Sequence, residues 1–140
     1  MPGRAHLLVA ALVAAVVVAA GTADAATAPQ LLVNVTATGG LCPPSMCHWS
    51  ARITTTTISA TDRKPRRLTV AERKALLLAI AQLRPASLPP FKGTCPIAYD
   101  GQERHYRFLG KAEIRSCKYD LRNVRAVKLA DRLIASLPAK

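Results

Sequence analysis

Four cysteines, Cys42, Cys47, Cys95 and Cys117, all stand downstream of an apolar N-terminal run, and that placement constrains the chain more than any other feature. Arg4, the run Leu7 to Ala20 and then Ala23-Asp24-Ala25 have the three-part layout of a secretory signal peptide. Residues 1–25 are therefore expected to be removed, leaving residues 26–140 as a single secreted domain. At about 1.5 Å per residue the apolar run reaches ~21 Å, short of the ~30 Å hydrocarbon core, which argues against a membrane anchor and leaves no transmembrane segment in the mature chain.

An even number of cysteines outside the cytosol reads as disulfides before it reads as metal ligands or a nucleophile. Four cysteines allow three pairings. Cys42 with Cys47 and Cys95 with Cys117 are the expected pairs, because each closes a local loop within one structural unit. By loop entropy the second bridge contributes about 3 kcal/mol, a large share of the ~5–15 kcal/mol that a small domain has in all. A zinc site at Cys42, Cys47 and His48 is disfavoured: four residues separate the cysteines, and no second Cys/His pair completes a tetrahedron.

Along the mature chain, Leu31 to Thr38 alternates apolar and polar residues, the period of a half-buried strand, with Leu31, Val33, Val35 and Ala37 on one side. Gly39-Gly40 ends it, and the proline-rich turn Leu41 to His48 follows. Trp49 to Thr61 reads as a second strand whose phase slips near Thr55 to Ile58. Residues 61–67 form a basic connector, and Thr69-Val-Ala-Glu72 is a capping box that opens a helix from Val70 to about Arg84. Leu76, Leu77, Ile80 and Leu83 supply its buried stripe.

Past the connector from Ala86 to Thr94, Glu103 to Leu109 and Ala112 to Tyr119 read as an antiparallel pair, with Tyr106, Phe108 and Ile114 toward the core. A last helix is expected from about Asn123 to Leu137, its stripe formed by Val127, Ala130, Ile134 and Leu137. The order β-β-α-β-β-α predicts an α+β fold: an antiparallel four-stranded sheet with a helix packed on one face and two disulfides.

The net charge of +12 favours anionic company, which outside a cell means envelope polymers, phospholipid, shed nucleic acid or acidic proteins. Specific nucleic-acid binding is not expected, because Trp49, Tyr106, Phe108 and Tyr119 are needed for the core of so aromatic-poor a domain. No nucleophile with a base, no paired acid and base and no open metal site occurs at a recognisable spacing, so the chain reads as a binding protein without catalytic residues, metal or cofactor. His105 reads as an ordinary exposed histidine with no acid partner implied.

Gly39-Gly40-Leu41-Cys42-Pro43 before a threonine-rich strand, and Gly93 through Phe108 with its Cys-Pro-x-x-Tyr-Asp-Gly-x-Glu-x-x-Tyr-x-Phe pattern, are similar to small exported actinobacterial proteins of uncharacterised function. That likeness implies export and the bridges and carries no activity. More locally, Cys95-Pro-Ile-Ala-Tyr-Asp100 resembles the reactive segment of secreted subtilisin-inhibitor-like proteins. The resemblance implies a partner-binding loop of Pro96, Ile97, Ala98, Tyr99 and Asp100, with Ile97 filling a serine protease's specificity pocket, Ala98 following the scissile bond and the bridge to Cys117 keeping the loop rigid. This sequence departs from that family in its narrower first cysteine pair and its terminal helix. The expected partners are thus an extracellular protein, a serine protease in the specific version, or an anionic envelope polymer.

Overall fold

The computed structural model describes residues 28–40, 47–99 and 101–140. Six strands, β1 Leu31–Thr38, β2 Trp49–Thr54, β3 Thr57–Ala60, β4 Arg66–Arg67, β5 Glu103–Phe108 and β6 Ile114–Arg115, form one antiparallel sheet ordered β4-β3-β2-β1-β5-β6. Helices α1 (Val70–Gln82) and α2 (Arg125–Ala135) complete a mixed α+β fold in the order β-β-β-β-α-β-β-α.

The sheet has six strands where the sequence predicts four. Trp49–Thr61 is a hairpin, β2 turning into β3 at Thr55-Thr56, and the slip in phase is that turn. Thr54 Oγ1 accepts from the amides of Thr56 and Thr57 at 3.2 and 3.0 Å, so a hydroxyl does locally what glycine or proline does in commoner turns. Two residues of the basic connector pair with β3 as β4. The return strand expected over Ala112 to Tyr119 contracts to Ile114–Arg115.

One sheet face carries the core. Val33, Val35, Ala51, Ile53, Ile58, Tyr106, Phe108 and Ile114 are buried with Leu76, Ala79 and Ile80 from α1, Leu83 at its C-cap, and Val127, Ala130 and Leu133 from α2. The register slips between Leu31 and Val33, so Leu32 is an extra residue on β1. A bulge there lets consecutive Leu32 and Val33 both be fully buried, whereas strict alternation would put Leu32 on the polar side.

Helix α1 begins as expected. Thr69 Oγ1 accepts from the Glu72 amide, Glu72 Oε2 accepts from the Thr69 amide, and Arg66 binds both Glu72 oxygens at 2.9 Å. Its buried stripe is Leu76, Ala79 and Ile80; Leu77 stays 39% exposed, because the helix presents an angle that puts Ala79 inward instead. In α2, Leu133 takes the core position expected of Ile134, and Leu137 is buried just beyond the helix end.

Candidate functional site

Both cysteine-bearing segments gather at one end of the sheet, where β1 ends and β2 and β5 begin. Cys95 and Cys117 are bonded, their Cα atoms 5.1 Å apart. Pro89 to Phe91 brings them together by running beside Lys118 to Asp120: the Phe91 amide donates to the Lys118 carbonyl at 3.0 Å and the Asp120 amide to the Pro89 carbonyl at 2.8 Å. The other expected bridge, Cys42 to Cys47, lies outside the described residues because Cys42 does, so one disulfide is described rather than two. Cys47 itself is buried.

From Cys95 the chain makes a closed turn. Residues Pro96–Tyr99 are a single turn of 3-10 helix, with the Ala98 amide donating to the Cys95 carbonyl at 3.0 Å and the Gly101 amide to the Pro96 carbonyl at 2.7 Å. A Cβ on Gly101 would stand 2.5 Å from Pro96 Cβ, so only glycine permits this closure. Next along the chain, Gln102 Nε2 donates to the Cys47 carbonyl at 3.0 Å and ties the turn to the first cysteine segment. Pro96, Ile97 and Ala98 are exposed, Ile97 at 41%, and Asp100 lies outside the described residues. The expected recognition residues Pro96 to Tyr99 are thus contiguous on a turn held at both ends.

Alongside this turn lies a groove of about 650 Å³, bordered by Pro89, Phe91, Pro96, Tyr119, Leu121 and Arg122. Sequence pattern alone places Phe91 in a connector and Tyr119 in the core. The groove exists because the proline segment and the Lys118–Asp120 segment lie edge to edge, a pairing between distant stretches.

On the open face of the sheet, His105 is half-buried rather than an ordinary exposed histidine. Its Nδ1 is 3.2 Å from Glu113 Oε1 and its Nε2 3.4 Å from Glu103 Oε2. Arg115 grips Glu103 through both oxygens at 2.9 and 2.7 Å, and Arg107 binds Glu113, so a chain of five polar side chains runs Arg107–Glu113–His105–Glu103–Arg115. Glu103 is only 3% exposed, and Arg115 holds its carboxyl below the usual range; Arg107 does the same for Glu113. Strand alternation signals Glu103, His105 and Arg107 on one face, but placing Glu113 and Arg115 beside them requires the β5–β6 register, which sequence pattern leaves open.

That array has the ingredients of acid–base chemistry, yet each carboxylate is already bound by a guanidinium. Among the described residues no cluster of three His, Cys, Asp or Glu side chains can hold a metal ion, and no helix is long and apolar enough to cross a membrane. No known family model, curated protein or solved structure matches the chain.

Proposed function

We propose that the mature chain is a secreted binding domain rather than an enzyme, meeting an extracellular protein through the turn at residues 96–100 and the groove beside it. The observation that carries this reading is Ile97: a large apolar side chain, 41% exposed, on a turn fastened by the Cys95–Cys117 bridge below it and by Gln102 behind it. A segment ordered before binding loses little conformational entropy on docking, so its contacts convert efficiently into affinity.

The specific partner proposed is a serine protease, with Ile97 entering its specificity pocket. Proteases take their substrates extended, so this mode requires the hydrogen bond from the Gly101 amide to the Pro96 carbonyl to open on docking. A partner that reads a convex turn takes the segment as it stands. Titrating the purified protein against subtilisin and trypsin tests the specific version: stoichiometric inhibition, lost in Ile97→Asp, supports it, and full protease activity at micromolar protein rejects it.

Charge favours a second reading, a basic envelope-associated protein held to anionic polymers. Glu72, Glu103, Glu113, Asp120 and Asp131 are each paired with an arginine. The exposed Arg52, Arg67, Lys74, Lys128 and Arg132 make no ion pair among the described residues and supply the net positive field. Under this reading, polymer binding survives Ile97→Asp and falls steeply with salt.

A further inference from the structure

Trp49 and Arg104 both pair across the sheet with Ala37, one from β2 and one from β5. Because Ala37 is small, the two long side chains lean over it, and the Arg104 guanidinium sits 5.5 Å from the centre of the Trp49 ring. Helix α2 closes the other side with Asp131, Ile134 and Ala135, and the chain after β3 adds Thr61 and Arg63. The result is an open cavity of about 330 Å³. That suits one ring bearing a short acidic arm, at the small end of the ~300–1,000 Å³ usual for ligand pockets.

The polar groups around this cavity are unequally committed. Both oxygens of Asp131 accept from the Tyr106 hydroxyl, at 3.0 and 3.2 Å, and Oδ2 is 3.4 Å from Arg104 Nη1. Thr61 Oγ1 is occupied with the Ser50 amide and carbonyl. Arg63, by contrast, donates from its side chain only to the Leu137 carbonyl, at 3.3 Å, among the described residues. Its backbone is fixed, since the neighbouring Lys64 amide donates to the Pro138 carbonyl at 2.9 Å. The charged donors that face the cavity are the two guanidiniums of Arg63 and Arg104, and with Asp131 ionised the local balance is one positive charge. A carboxylate uses those donors directly, and its charge-assisted hydrogen bonds to guanidinium are stronger than those a neutral hydroxyl would make.

From this we infer that the cavity between Trp49, Arg104, Arg63 and Ile134 is a binding site for a small aromatic monocarboxylate, its acid group on the two arginines and its ring against Trp49, Ile134 and Ala60. Trp49 is the chain's one tryptophan, so its indole N–H resonance reports occupancy directly. The test titrates the purified protein with benzoate and, separately, with benzyl alcohol, which has the same ring without the charge. Benzoate is expected to shift that resonance saturably and benzyl alcohol to bind about ten-fold or more weakly, the value of a charge-assisted hydrogen bond. Arg63→Gln is expected to weaken benzoate by a similar factor with an unchanged far-ultraviolet circular dichroism spectrum, whereas Arg84→Gln, away from the cavity, leaves it unaltered. An absent or unsaturable shift, equal binding of the alcohol, or undiminished binding by a folded Arg63→Gln variant overturns the assignment.

Discussion

Ile97 rests on Gly39: a Cβ built on the glycine would stand 2.9 Å from Ile97 Cγ1. Gly39 also has φ +97°, a conformation that side chains disfavour. The end of β1 is thus shaped to receive the turn that follows Cys95, and the glycine pair that looks like a simple strand terminator is the seat of the exposed isoleucine. Gly39→Ala should cost about 1–2 kcal/mol from backbone strain and displacement of Ile97. Urea denaturation reads the loss, and faster limited proteolysis between residues 96 and 101 reads the displaced turn.

Replacing both Cys95 and Cys117 by alanine removes the tie beneath the same turn. Loop entropy for a separation of 22 residues predicts a loss of about 3 kcal/mol. The damage should be uneven. Amide exchange is expected to speed most at Ala98 and Gly101, whose hydrogen bonds close the turn, and less in the β1–β2 pair at the sheet centre.

Glu72 couples the start of α1 to pH. Its bonds from Arg66 and from the Thr69 amide hold its carboxyl at about 2, below the ordinary value of 4.5. A folded pKa below the unfolded one gives a contribution that is complete above the unfolded value and lost as pH falls toward the folded value. Glu72 is partly solvated, so Glu72→Gln should cost about 1 kcal/mol at neutral pH, the size of a lost cap rather than of the whole pKa displacement. Denaturation midpoints of the wild type and variant should converge as pH falls from 4.5 toward about 2.

Asp131 has the opposite sign. Burial raises its pKa despite the Tyr106 hydroxyl and Arg104, so its ionised form costs stability at neutral pH and that cost is relieved as pH falls through the folded value. Burial likewise pushes the Tyr106 hydroxyl up to about 12, keeping it a donor at any ordinary pH. Tyr106→Phe should cost about 1–2 kcal/mol at neutral pH by taking a donor from the ionised carboxylate. The penalty should shrink once acid protonates Asp131, which parallel acid and neutral denaturation curves would show.

Local chemistry made some elements legible from sequence and long-range pairing hid others. The bounds of β1 and the Thr69–Glu72 cap follow from patterns within a few residues, and Cys95–Cys117 follows from local closure. The β2–β3 turn was hidden because Thr54 to Thr57 are all strand formers by propensity, and only the hydrogen bonds of Thr54 Oγ1 reveal a turn. Strand β4 is two residues long, too short for any period to register. In the candidate site, the exposed turn was readable from Cys-Pro and Asp-Gly, while its seat on Gly39, its tie through Gln102 and the groove beside Phe91 depend on segments far apart in sequence.

Peptide mapping of the protein purified from cells that express the full chain, with and without reduction, bears most directly on the proposal that a covalent tie fixes an exposed turn after secretion. The expected result is an N-terminus at Ala26, a mass lower by one hydrogen per cysteine than the reduced chain, and a peptide containing Cys95 joined to one containing Cys117. An uncleaved leader, free thiols at Cys95 and Cys117, or either cysteine joined to Cys42 or Cys47 would contradict it.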